Sequence, residues 1–213
     1  SILEVLKRYN HPVAIITKNS MIERDIDILS EMAKMNLVKV ASSVTTLNNS
    51  LKLTLEPRTS GPQGRIRSIK TLTQAGIPVR VMVAPIIPLI NDCELEKILE
   101  ATSKAGAQYA SYVFVRLPYE VKDLFKQWLA THFPERAEHV MSIIKQMRGG
   151  KEYDSSYGTR MRGTGEFAQL IAARFKGACK RFGLNVKPAP VLNNTLFIKP
   201  SQGPQQCDLF SKL

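Results

Sequence analysis

Lys18 stands at the end of the apolar run Pro12-Val-Ala-Ile-Ile-Thr17. If that run is a parallel strand, Lys18 falls where α/β folds place their sites, at the carboxyl ends of the strands. An ammonium there can bind a carboxylate or phosphate, or form a Schiff base once desolvated. The plainer reading is a solvated loop lysine. A second run ends Ala41-Ser-Ser-Val-Thr-Thr46. Alternation puts Ser43 and Thr45 on one face, and Ser42, Val44 and Thr46 on the other. Such hydroxyls suit a polar ligand, such as a ribose or an amino-acid group, or else are satisfied by the backbone. Arg58 follows Pro57 and can fork onto a carboxylate, or pair with Glu56 and hold its own loop. Pro85 and Pro88 interrupt a third apolar run, leaving carbonyls that a cofactor's N–H groups can use. Arg116 ends a fourth run near the same mouth.

A second group of candidates lies further along. Between Lys145 and Lys187 the basic residues are Lys145, Arg148, Lys151, Arg160, Arg162, Arg174, Lys176, Lys180, Arg181 and Lys187, against the acidic Glu152, Asp154 and Glu166. Tyr153, Tyr157 and Phe167 are interleaved. Basic side chains among aromatics suit a phosphate backbone with stacked bases, with Lys151, Arg160 and Arg162 as the nucleic-acid candidates. A solvated helix face with structural aromatics is the competing reading. Other chemistries lack their residues. His11, His132 and His139 cluster with no cysteines or carboxylates, so no zinc site is expected. Gly61-Pro-Gln-Gly64 lacks the Lys-Ser/Thr of a phosphate loop. Cys93, Cys179 and Cys207 are widely spaced, which argues for free thiols in a reducing cytoplasm rather than disulfides or a metal site.

Positioning these residues falls to alternating elements. Strand patterns at 12–17, 37–46, 78–87 and 108–117 alternate with helical patterns at 21–35, 65–75 and after Asn91 or Asp92, either of which can cap. A short, ambiguous segment covers 48–55. Near-continuous apolar strands joined by helices indicate a parallel sheet covered on both faces. After Pro118 the pattern turns helical, with stripes in 121–129, after Pro134 and in 167–182, and a polar loop over 150–165. The proline-containing segment from Val186 reads as an extended tail. The expected organisation is an incomplete parallel (β/α) barrel over 1–118, a helical extension over 119–185 and the tail over 186–213. Only four strands are visible and Ile2–Tyr9 already reads as helix, so the chain is expected to be part of a longer protein.

Net charge is +12, from 30 Lys+Arg and 18 Asp+Glu, which favours a polyanionic partner. Apolar stretches such as Val81–Ile90 are too short to span a bilayer, so no membrane is expected. No basic segment followed by an apolar one opens the chain, so neither is a secretory leader.

The strings Leu55-Glu-Pro-Arg-Thr-Ser60, Arg65-Ile66, Ala75-Gly-Ile-Pro78 and Val83-Ala-Pro-Ile86 resemble the spore-photoproduct-lyase-like branch of the radical S-adenosylmethionine (SAM) superfamily. So do Thr17-Lys18 and Ser43-Val-Thr-Thr46. Leu117-Pro118, Val121-Lys-Asp-Leu-Phe125, Trp128-Leu129 and Arg160-Met-Arg-Gly-Thr-Gly165 resemble a bacterial subgroup of that branch. The resemblance implies a partial (β/α)6 barrel, SAM, a [4Fe-4S] cluster, and an electron donor of flavodoxin or ferredoxin type. It implies cleavage of SAM to a 5′-deoxyadenosyl radical that abstracts hydrogen from a substrate. Lys18 and Ser43 match positions that contact SAM, Thr45 and Arg58 match less closely, and Pro85 matches the strand bordering the adenine. The family's Cys-x3-Cys-x2-Cys motif is absent here. The chain is therefore expected to be inactive alone and to bind neither cluster nor SAM by itself. Two alternatives stand beside this reading: a Schiff-base or phosphate-binding barrel enzyme using Lys18, and a non-catalytic nucleic-acid-binding module.

Overall fold

A computed structural model of the chain describes residues 1–200; Cys207 and the end of the expected tail lie outside the described residues. The β-branched runs form four strands: β1 (Val13–Thr17), β2 (Val38–Ser43), β3 (Val79–Ile86) and β4 (Tyr109–Phe114). They pair in chain order, all parallel, with Ile15 beside Val40 and Val81 beside Ala110. Sequential parallel neighbours require crossover connections. Here these are α2 (Ile26–Lys34) between β1 and β2, α4 (Pro62–Gln74) between β2 and β3, and α5 (Leu95–Lys104) between β3 and β4. A first helix, α1 (Ile2–Arg8), precedes β1. The ambiguous 48–55 segment is α3 (Asn49–Leu55), started by the Asn48 side chain, which accepts from the Ser50 and Leu51 N–H groups. Part of the expected 21–35 helix is a 3-10 turn over Ser20–Asp25.

One sheet face is the core. Val38, Val40, Val79, Val81, Ala110, Tyr112 and Phe114 meet Leu29, Met32, Ile69, Leu72, Ile98 and Leu99 from the helices, all 3% exposed or less. The chain turns tightly after α5 at Gly106, whose φ is +101° and where a Cβ would lie 2.7 Å from Thr73 Oγ1, so glycine is required on both counts. The 119–185 segment forms α6 (Val121–His132), α7 (Ala137–Gln146) and α8 (Gly165–Arg181). Of these, α8 packs against α5 and the end of the sheet, and α6 and α7 pack on each other. Phe175 of α8 lies 4.8 Å from Tyr112 and Phe167 lies 6.1 Å from Phe114, ring centre to ring centre. Arg174 binds Glu96 of α5 through two hydrogen bonds of 2.8 and 2.7 Å. Met161 accepts from the Phe114 N–H at 3.0 Å, so the loop after α7 runs beside β4.

The other face of the sheet departs from the expectation of two covered faces. Ile16 is 65% exposed, and Ala14, Ala41, Met82 and Ser111 line a hollow of about 270 Å³ with Ala189 and Pro190. In a closed barrel this face is the interior. Residues 186–200 contain no helix or strand, and they run along the amino ends of the strands, where Asn36 and Tyr9 carbonyls accept from Asn193 and Ile198. No helix among the described residues is long and apolar enough to cross a membrane.

Candidate functional site

Strand alternation places Lys18, Ser43, Thr45 and Ala84 on the same side as Ile16, Ala41 and Met82, at the carboxyl rim of the inner face. The structure brings them together. Ser43 and Thr45 both donate to the Ala84 carbonyl, at 2.9 and 2.8 Å. Both are almost fully buried, at 2% and 1% exposure. Their hydroxyls thus tie the ends of β2 and β3 together and face no solvent. The ambiguity between ligand binding and backbone satisfaction resolves in this geometry to the second.

Glu56 is the hub. Its carboxylate accepts from Lys18 Nζ and from Arg65 at 2.6 Å, and it shares the single Thr45 hydroxyl proton, 2.9 Å away, with the Ala84 carbonyl. The Glu56 side chain is 9% exposed, Arg65 3% and Lys18 37%. Burial pushes the Glu56 carboxyl up, but the hydrogen bonds and charges of Lys18 and Arg65 outweigh it and hold the group below its ordinary value. Arg65 also donates to the Ser60 and Ser43 carbonyls, both at 2.9 Å, and to Thr59 Oγ1 at 2.6 Å. One guanidinium therefore fixes the 56–60 loop over the end of β2. Asn91 does the same for β3: it donates to the Thr45 and Pro85 carbonyls at 2.8 and 2.9 Å and accepts from the Ile87 N–H. It does not cap a helix with its side chain, as its sequence position had implied.

Arg58 stands apart. It is exposed, makes no ion pair among the described residues, and leaves Glu56 to Arg65. Pro85 follows a cis peptide bond from Ala84, and its carbonyl serves Asn91. Arg65 was absent from the candidates, although a signal existed: it shares the inward stripe of α4 with Ile69 and Leu72, a place where a cation needs a reason.

At the end of β4 a basic loop gathers Lys151, Arg160 and Arg162. Arg148 anchors it, 5% exposed, by donating to the Thr159 and Val115 carbonyls at 3.0 and 3.3 Å. Burial pushes its guanidinium below the ordinary value. Arg162 lies 3.9 Å above the Tyr112 ring centre and Arg160 lies 5.7 Å from that of Tyr157. Lys151 is exposed, and Arg116 donates to the Tyr153 hydroxyl at 3.0 Å.

Among the described residues no group of three or more His, Cys, Asp or Glu is placed to hold a metal. Cys93 is exposed and Cys179 is buried. These two do not fit an iron–sulfur cluster, whose thiolates must converge. Burial pushes the Cys179 thiol to about 11, against a hydrogen bond from Asn185 that lowers it. At pH 8 iodoacetamide is expected to alkylate Cys93 and leave Cys179 unmodified in the folded protein; peptide mapping that finds both labelled at equal rates contradicts the packing described.

Residues 1–102 match the family model of the radical SAM superfamily. The chain is 31% identical over 147 residues to the uncharacterized protein Rv2578c of Mycobacterium tuberculosis, covering 68% of this chain and 43% of that protein. It is 27% identical over 141 residues to the uncharacterized protein MJ0683 of Methanocaldococcus jannaschii, covering 66% and 50%. The chain therefore spans half or less of each of these relatives. Among solved structures, spore photoproduct lyase complexed with dinucleoside spore photoproduct aligns with a TM-score of 0.57 at 13% identity, over 86% of this chain and 54% of that one. A mutant of the same lyase with bound AdoMet and dinucleoside spore photoproduct also gives 0.57, at 14% identity and the same coverage. At such identities the likeness is one of fold: a partial parallel barrel of the radical SAM type.

Proposed function

With residues 1–102 matching the family model of the radical SAM superfamily, we propose that the rim formed by the ends of β1, β2 and β3 is part of a SAM site in a longer radical SAM enzyme. The observation that carries this is the convergence of Lys18, Ser43, Thr45 and Ala84 on one inner rim, locked by Glu56 and Arg65. Roles divide by exposure. Lys18 is the half-open side chain, with one ion-pair partner and N–H protons to spare for the carboxylate of SAM. Ser43, Thr45 and Arg65 hold the rim in shape behind it. Pro85 and its neighbours border the nucleoside side. Among the described residues no thiolates converge for the cluster, so this chain's own residues bind and position SAM rather than reduce it, a departure from the expectation that the chain alone binds none. The reaction of the whole enzyme is reductive cleavage of SAM, fed by a flavodoxin- or ferredoxin-type donor. Its substrate is nucleic acid, a reading supported by the basic loop beside β4 and by the dinucleoside in the lyase structures. The few, separate thiols suit a cytoplasmic setting.

Equilibrium dialysis with labelled SAM tests this reading. A charge-assisted hydrogen bond is worth ~1.5–3 kcal/mol, so Lys18→Ala is expected to weaken binding about 10- to 150-fold. Equal binding by both proteins, or none by the unmodified chain, overturns the assignment. The Schiff-base alternative requires Lys18 to lose a proton and leave Glu56. A covalent adduct on Lys18 after borohydride trapping with a carbonyl compound would put that alternative in its place.

A further inference from the structure

We propose that the cleft between the β4–α6 turn and the loop after α7 binds single-stranded nucleic acid, stacking a base on Tyr119 with phosphates against Lys122 and Lys151. The inference rests on the nucleic-acid reading above and gives it a place outside the SAM rim.

Three observations carry it. The first is Tyr119 itself. Its side chain is 84% exposed and its backbone φ is +47°, a left-handed conformation that an aromatic residue adopts only under constraint. Strain of this kind collects at ligand sites. Among the described residues, the Tyr119 ring packs against no other aromatic ring. The second is shape. Leu117, Tyr119, Lys122, Lys151 and Tyr153, with Glu152, line a cleft of about 420 Å³, the size of small-ligand sites. The third is an excess of cations. Lys122, Lys126 and Lys145 all converge on the Glu152 carboxylate, at 3.9, 2.7 and 3.4 Å. Lys151 and Arg116 reach no carboxylate within 4.0 Å among the described residues, and the Arg116 Nε is buried without an acceptor. Within the cleft Lys122 and Lys151 stand against Glu152 alone, and Lys126 and Lys145, on the far side of that carboxylate, neutralise it further, which leaves the lining net positive.

The arrangement favours a single strand over a duplex. An open aromatic face stacks on a base whose own face is free, which a duplex does not offer. The positive strip is narrow, because Glu120 and Asp123 flank Tyr119 and Lys122 in the chain. A strand one phosphate wide fits it; a broad duplex surface meets carboxylates.

Fluorescence anisotropy with a labelled thymidine 12-mer, titrated into the full chain at several salt concentrations, tests the inference. Base stacking is worth ~1–3 kcal/mol, so Tyr119→Ala is expected to weaken binding about 5- to 150-fold at an unchanged salt slope, and Tyr119→Phe to restore most of it. The K122A/K151A double variant removes two phosphate contacts, so the slope should fall by about 1.4, at ~0.7 per phosphate for a single strand. Circular dichroism melts confirm that each variant is folded. A 12-mer that does not bind, equal affinity for Tyr119→Ala, or tighter binding of the matching duplex or of an acidic peptide overturns it. The SAM dialysis above is independent: SAM binding without 12-mer binding sinks this inference alone, and the reverse sinks only the SAM rim.

Discussion

Arg65→Met is expected to lower the unfolding free energy by about 3–5 kcal/mol, the cost of breaking a buried ion pair by removing one partner. Arg65 is 3% exposed and its donors serve Glu56, Ser60, Ser43 and Thr59. Removing it leaves those acceptors buried and Glu56 with Lys18 and Thr45 alone. For a chain of this size each kcal/mol moves the melting temperature by roughly 2–4 °C, so a drop of about 6–20 °C is expected in a circular dichroism melt. A change under 2 °C would mean that the pair contributes little to holding the rim. The double variant E56L/R65M should regain part of the loss, because a buried charge without its partner is worse than neither. The same network has a pH signature. Glu56 titrates lower in the folded chain than in the unfolded one. Its stabilisation is therefore present at neutral pH, above the unfolded value, and disappears as pH falls through the folded value. Urea midpoints measured from pH 7 down to pH 3 should fall less for Glu56→Gln than for the unmodified chain.

Phe114→Ala is expected to cost about 3–5 kcal/mol, the range for removing a buried phenyl ring from a packed core. Phe114 is 0% exposed and lies between Tyr112 and Phe167, where the end of β4 meets α8. A cavity there loosens the sheet and the helical extension together. Urea unfolding should show one transition in both proteins, at a lower midpoint in the variant, because one continuous cluster of buried side chains joins 1–118 to 119–185. Two separated transitions would show that the extension folds by itself. Leu124→Ala, at a site 63% exposed, should change stability by less than about 0.5 kcal/mol and serves as the control.

Periodicity read the architecture well and the hydrogen-bonded site poorly. The four parallel strands and most helices follow from patterns of apolar residues, which depend on local spacing alone. The rim position of Lys18 and the shared face of Ser43 and Thr45 follow from strand alternation, which is also local. What Glu56 binds is not local. Its partners lie 38, 11 and 9 residues away in sequence, and a carboxylate beside Arg58 looks like Arg58's partner until α4 turns Arg65 inward. Asn91 misled for the same reason: asparagine before a helix reads as a cap, but here a cross-sheet role to Thr45 and Pro85 took its side chain. The uncovered inner face escaped notice because strands buried on both faces and strands facing a barrel interior are equally apolar. Tyr119 falls between the strings Leu117-Pro118 and Val121–Phe125 and carried no signal of its own; its left-handed backbone is visible only in three dimensions.

A titration of the isotopically labelled chain with SAM, followed through backbone amide resonances, bears most directly on the rim. Shifts are expected at Lys18 and Asn19, over Ser43–Thr46, and at Ala84, Ile86 and Ile87, three strand ends that sequence keeps far apart and the fold joins. Resonances that stay still at those strand ends, or that move only around the basic loop after α7, would contradict a SAM site on this sheet.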